Sequence, residues 1–203
     1  MTRGDGSAIS DGNRMIESDL HRDLMVALID TLRRRYEDRD DVYVSGNLLV
    51  FHTPGDKRRH VSPDVFVVRG VPKHSRDNYL IWEEGRGPEV VIELTSSSTR
   101  REDTGPKLEL YRDVIGVREY FLFDPREDYL EPSMQGHRLR GGRYVTIRPV
   151  EGRLPSQVLG VHLERDGEQL RLFDPATGEH LMTRAEAAEA ELARLRARLG
   201  DPD

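Results

Sequence analysis

The chain's 203 residues suit one domain with extensions, and its 36 % hydrophobic content is enough for one core that buries roughly two thirds of the surface. Its 31 basic and 37 acidic residues leave a net charge of −6, which excludes a histone-like polyanion binder but not a local basic patch. With no cysteine there is no disulfide scaffold, thiolate zinc site or cysteine nucleophile, and no apolar run approaches the ~20 residues of a membrane span.

Residues 1–13 read as a flexible leader without the apolar stretch of a secretory signal, so a soluble cytoplasmic protein is expected. Leu20, Leu24, Met25, Leu28 and Leu32 then fall at helical spacing, and Ser18 or Asp19 caps a helix over 18–36 that closes on Arg33, Arg34 and Arg35. Strand signals follow at Val42 and Val44, at Leu48 to Phe51, at Val65 to Val68 and at Val90 to Ile92, with turns at Ser45-Gly46-Asn47 and Pro54-Gly55-Asp56. Continuous apolar runs of this kind suit strands covered on both faces.

A helix is predicted over 104–115, with Leu108, Tyr111, Val114 and Ile115 inward and Gly116 as its stop, and Glu119 to Phe123 is the next strand. Short β pieces fill 127–173 as a meander or extension of the same domain, with turns at Gly141-Gly142, Glu151-Gly152 and Asp166-Gly167. The order gives an α/β (α+β) fold around one mixed central sheet flanked by helices. The single domain spans 14–180, and 181–203 forms a terminal helix with a Thr183/Glu186 capping box and an a/d seam through Leu181, Ala185, Ala188, Leu192, Leu195 and Leu199.

Two carboxylates sit at strand ends: Asp64 opens one apolar strand and Glu93 closes another. Acidic residues are poor strand formers and unfavourable to bury alone, so a shared site at one sheet edge competes with two solvated strand ends. Two carboxylates with positions left for water and phosphate oxygens are what magnesium prefers. Lys107, after Pro106 in the first turn of a helix, carries a charge that the macrodipole disfavours; Glu93 or Asp103 could supply its anion. Residues 93–99 make a hydroxyl-rich turn suited to phosphate binding or, more commonly, capping. Lys57, Arg58 and Arg59 form a basic turn close to Asp64 that either holds a phosphodiester backbone or solubilises a hairpin tip.

Pro63-Asp64, Glu93 within Val-Val-Ile-Glu-Leu-Thr-Ser-Ser-Ser-Thr, Asp103, Lys107, Tyr111, Gly116, Glu119-Tyr120-Phe121 and Asp124-Pro125 fall in a telling order and spacing. The sequence resembles the Uma-two-like restriction endonucleases of the PD-(D/E)XK nuclease superfamily, over roughly residues 14–175. The resemblance implies a restriction-endonuclease-like core with extra C-terminal strands and a terminal helix. It implies Asp64 and Glu93 as ligands of Mg²⁺ or Mn²⁺, the Leu94 carbonyl as a third, and Lys107 as the catalytic lysine. Glu17, or His21 one turn later, would line the site, as would Thr95, Asp103 and Tyr111; Tyr111 is expected to pack behind it rather than act in it. The superfamily's usual lysine position, two residues after the glutamate, is held here by Thr95. The family's answer is a lysine on the next helix, and Lys107 fits.

The activity so implied is metal-dependent internal cleavage of DNA, with Lys57, Arg58, Arg59, Arg100 and Arg101 holding flanking phosphates. The competing reading is a catalytically inactive nuclease-fold module that binds nucleic acid or a protein partner. The terminal helix suggests a homodimer, against the alternative that it packs on its own domain or frays.

Overall fold

Ser18 is the cap of the first helix: in the computed structural model, which describes residues 18–199, its side chain accepts from the His21 amide and α1 runs Asp19–Arg35. The expected leader and Glu17 lie outside the described residues. After α1 come β1 (Val42–Ser45), β2 (Val50–Phe51), β3 (His60–Val61), β4 (Val65–Arg69), β5 (Tyr79–Leu80), α2 (Ile81–Glu84) and β6 (Val90–Leu94). Then follow α3 (Arg100–Asp103), α4 (Pro106–Glu109), a π-helical segment Leu110–Ile115 and β7 (Glu119–Phe123). The chain continues through β8 (Met134–Arg140), β9 (Arg143–Thr146), β10 (Leu154–Ser156), β11 (Val161–Asp166), β12 (Gln169–Asp174), β13 (Glu179–His180) and α5 (Arg184–Leu199).

The central sheet has the order β1-β4-β6-β7-β8-β9 and is mixed, with β6 and β7 parallel and the other pairs antiparallel. Both faces are covered, which is why its strands read as unbroken apolar runs. On one side Leu24, Leu28 and Leu32 of α1 pack with Ile92, Leu94, Phe121 and Phe123, and Val161 and Leu163 close the same core. On the other, Phe66, Val91, Tyr120 and Leu122 pack with Tyr111. Because side chains alternate along a strand, Glu93 points to the Tyr111 side, between Ile92 and Leu94 that point to α1.

The β pieces after 127 divide between two sheets. β8 and β9 extend the central sheet, while β10, β11, β12 and β13 form a separate four-stranded antiparallel sheet. A third small sheet, β3-β2-β5, was not legible as such, since each of its strands has two residues.

The predicted 104–115 helix is replaced by α3, α4 and the π-helical segment. Its wider turns leave Tyr111 and Leu108 inward but turn Val114 out, 59 % exposed, against expectation. Gly116 stops the segment in the left-handed region, at φ 76°.

Gly46 fixes the start of β4. Its neighbour Asn47 donates to the Pro63 carbonyl at 2.8 Å, and a Cβ on Gly46 would stand 1.9 Å from the Asp64 carbonyl oxygen. Gly46→Ala should therefore destabilise the fold by roughly 2–4 kcal/mol through forced backbone movement at Asp64. Urea unfolding measures this, and an unchanged midpoint would mean that the two segments separate at little cost.

Candidate active site

Asp64 immediately precedes β4, and β4 pairs with β6 so that Val65 stands opposite Ile92. That register brings Asp64 beside Glu93. The Asp64 amide faces Glu93 Oε2 at 3.3 Å, and Asp64 Oδ2 accepts from the Leu94 amide at 2.7 Å. Leu94 thus meets the cluster through its N–H, while its side chain lies in the opposite core. His21, one turn into α1, reaches the other oxygen: its Nε2 is 3.0 Å from Asp64 Oδ1.

Lys107 is buried at the N-terminal end of α4, with Nζ 3.3 Å from Glu93 Oε1 and 3.0 Å from Asp103 Oδ1. Both anions offered by the sequence are therefore used. The Asp103 contact is a buried ion pair one helical turn apart in sequence. Tyr111 is fully buried behind the cluster and does not line the cavity, and its hydroxyl donates to Glu93 Oε1 at 2.7 Å. The sequence held the signal, because Lys107 and Tyr111 are spaced to share one helix face.

One ammonium therefore serves three carboxylates. Burial pushes the Glu93 carboxyl up to about 8, against Lys107; Asp64 and Asp103 add to the rise. Asp103 is raised by burial as well. Burial works to lower Lys107, but the surrounding carboxylates outweigh it and hold the ammonium charged far above its usual range.

A cavity of about 750 Å³ opens over this cluster, lined by His21, Asn47, Asp64, Thr95, the Ser96–Thr99 turn, Lys107, Arg126 and Tyr129 among others. Thr95 is buried, and its hydroxyl has no hydrogen-bond partner among the described residues. Lys57, Arg58 and Arg59 lie on the exposed β2–β3 connection, where Arg58 is paired with Asp56. Arg100 and Arg101 open α3, and Arg100 donates to the Tyr129 carbonyl at 3.3 Å. None of these five lines the cavity; Arg126 and Tyr129 do, and sequence reading missed both. They sit in the loop after Asp124, whose buried carboxylate accepts from the amides of Arg126, Tyr129 and Leu130.

The family model Uma2, described as "Putative restriction endonuclease", matches residues 7–166. The chain belongs to the Uma2 family. The match includes Asp64, Glu93 and Lys107 and ends before β12 and α5. Among solved structures, the crystal structure of a "putative nuclease belonging to DUF820" from Anabaena variabilis ATCC 29413 has a TM-score of 0.52 at 13 % identity. It covers 71 % of this chain and 76 % of that one, a likeness of fold. No curated protein matches the sequence significantly. Among the described residues no helix is long and apolar enough to cross a membrane.

A divalent cation is the group the Uma2 family implies. Among the described residues no three His, Asp or Glu side chains converge as a ready-made cage. The donors nevertheless fit a hard cation that keeps water and phosphate oxygens: two carboxylates on neighbouring strand positions, an excess of negative charge and a buried hydroxyl without a partner among the described residues.

A pH dependence follows from Glu93. Its folded pKa of about 8 exceeds the ordinary 4.5, so the folded state holds a proton that the unfolded chain has released between those values. That contribution to stability is complete below the unfolded pKa and is lost as pH rises through about 8. The metal-free protein should lose on the order of 2 kcal/mol or more between about pH 5 and pH 8, relative to Glu93→Gln. Parallel urea-denaturation curves for the two proteins measure the difference; equal slopes with pH would show that Glu93 is not strained by burial.

Proposed function

We propose that the protein is a metal-dependent endonuclease that hydrolyses DNA phosphodiester bonds in the cytoplasm. The observation that carries this reading is the convergence of Asp64, Glu93 and Lys107 from three separate segments, with Asp64 and Lys107 lining one cavity and Glu93 buried behind them. Membership of the Uma2 family supports it.

Asp64 and Glu93 would hold Mg²⁺ or Mn²⁺. When bound, the cation supplies positive charge against the phosphate oxygens and acidity to an attacking water. Lys107 orients that water and offsets charge building on the phosphate. Tyr111 fixes the Glu93 carboxylate through its hydroxyl, and His21 fixes that of Asp64. Asp103 keeps the ammonium between itself and Glu93. The exposed Lys57, Arg59 and Arg101 would meet flanking phosphates outside the cavity, so binding should weaken as salt rises.

Titration of Mn²⁺ into the metal-free protein tests the site directly. Saturable binding that Asp64→Asn and Glu93→Gln each weaken supports the reading, and equal binding by all three proteins would remove it.

Pairing of two copies through α5 belongs to the same proposal. Its first turn is tied to the domain by Arg184 with Asp30 and Glu186 with Arg171, while Leu192 and Leu195 of its seam, further along, are 48 % and 43 % exposed. Two paired sites would suit cutting both strands, and an unchanged solution mass after deletion of residues 183–203 would remove the idea.

A further inference from the structure

We propose that the cavity admits an unpaired strand of DNA rather than intact duplex, and that Tyr129 stacks on the base beside the bond to be cut. The proposal rests on the nuclease reading of the same site and adds its substrate class.

The reacting groups are recessed. Glu93 is 1 % exposed, and the side chains of Lys107 and Asp64 are 9 % and 15 % exposed. A phosphate that reaches them must carry its sugar and base into the recess. The cavity, at about 750 Å³, falls in the size range of sites that take a single small ligand, such as one nucleotide. In duplex DNA the bases are stacked, and drawing one nucleotide out costs a few kcal/mol that a single strand does not meet.

The walls suit an unstacked nucleotide. One carries the hydroxyls of Ser96, Ser97, Ser98 and Thr99, matched to sugar and phosphate, and apolar surface comes from Leu49, which is 37 % exposed. Tyr129 is held by its backbone from both sides: its amide donates to Asp124 and its carbonyl accepts from Arg100. Its half-buried ring stacks on no other ring and its hydroxyl has no partner among the described residues. A fixed backbone with an uncommitted ring is a platform on which any base can stack.

Charge outside the cavity does not separate the two substrates, since Lys57, Arg59 and Arg101 would meet phosphates of either; inside it there is little to hold more than one phosphate. The basic residues lining this cavity, apart from His21, are Lys107, already shared between carboxylates, and Arg126, whose guanidinium has no partner among the described residues.

The test is fluorescence anisotropy with the full chain in EDTA, using one labelled oligonucleotide as a single strand, in a perfect duplex, and in a duplex with an unpaired loop. Strand and looped duplex should bind at least about tenfold tighter than perfect duplex. Tyr129→Ala should lower strand affinity by about tenfold, and Tyr129→Phe should keep it. Perfect duplex bound as tightly as the strand, no binding of either, or an unaffected Tyr129→Ala would each overturn the proposal. Adding Mg²⁺ or Mn²⁺ separates it from the reading beneath it. Strand-selective, Tyr129-dependent binding with no cleavage keeps the substrate class and removes the nuclease. Perfect duplex cut as fast as the strand does the reverse.

Discussion

Glu93→Gln is expected to lower metal-dependent DNA cleavage by at least about a thousandfold, equivalent to ~4 kcal/mol of transition-state stabilisation, while leaving the fold intact or firmer. The amide keeps nearly the same volume in a fully buried position, and its oxygen can still accept from the Tyr111 hydroxyl at the 2.7 Å separation of the native pair. What it loses is the negative charge that a cation needs. In the metal-free protein that charge is a liability, because burial already drives the carboxyl up to about 8. Activity and stability should thus move in opposite directions, as is common where function requires a strained group. Plasmid cleavage rates and thermal melting read the two sides, and a variant both unstable and inactive would leave only a folding role for Glu93.

Lys107→Met is expected to destabilise the metal-free protein by about 3 kcal/mol and to reduce cleavage by at least about a hundredfold. The methionine matches the aliphatic stem, so the change isolates the ammonium. Without it, Glu93 and Asp103 face each other with no cation in contact, having been 3.3 Å and 3.0 Å from Nζ. Either the carboxylates take up protons or the α3–α4 turn opens. Mn²⁺ should restore part of the lost stability, since it supplies positive charge to the same oxygens. Denaturation midpoints with and without Mn²⁺ measure this. A variant as stable as the parent at a pH above the Glu93 pKa of about 8, where the carboxylate is ionised, would show that the ammonium does not offset these charges, and the electrostatic account of the cluster would fail.

The residues of the candidate cluster stood out in the sequence, as did the mixed fold that brings them together. Asp64, Glu93 and Lys107 were marked by residue types that local physics disfavours: acids at the ends of apolar strands and a lysine in the first turn of a helix. Such conflicts between local preference and observed residue are where function tends to leave a trace. α1, α5 and the central strands were visible because their apolar periods extend far enough to be read. The small β3-β2-β5 sheet was not, because two-residue strands carry no period, and its pairs join segments distant in sequence, as when Val50 stands opposite Tyr79. The break of the 104–115 helix into short helical pieces was equally hidden. Leu108, Tyr111, Val114 and Ile115 keep helical spacing in the sequence, and only the wide π turns put Val114 outside.

Tyr129 and Arg126 were missed for a different reason. They stand on a loop whose shape is set by Asp124 accepting from three backbone amides, an arrangement that no local pattern announces. Asp124-Pro125 belongs to the ordered set of residues that carries the resemblance, and its structural consequence, a loop that brings Arg126 and Tyr129 to the cavity lining, is not written in that order. The basic clusters show the opposite case. Lys57 to Arg59 and Arg100-Arg101 stand out in the sequence, yet none lines the cavity, and Arg58 is partly neutralised by Asp56.

The most direct measurement is incubation of the purified chain with supercoiled plasmid in Mg²⁺, Mn²⁺ or EDTA, beside Glu93→Gln prepared in the same way. The account predicts nicking that requires the metal and is absent from the variant. Nicking that persists in EDTA, or that Glu93→Gln performs as well as the parent protein, would contradict it.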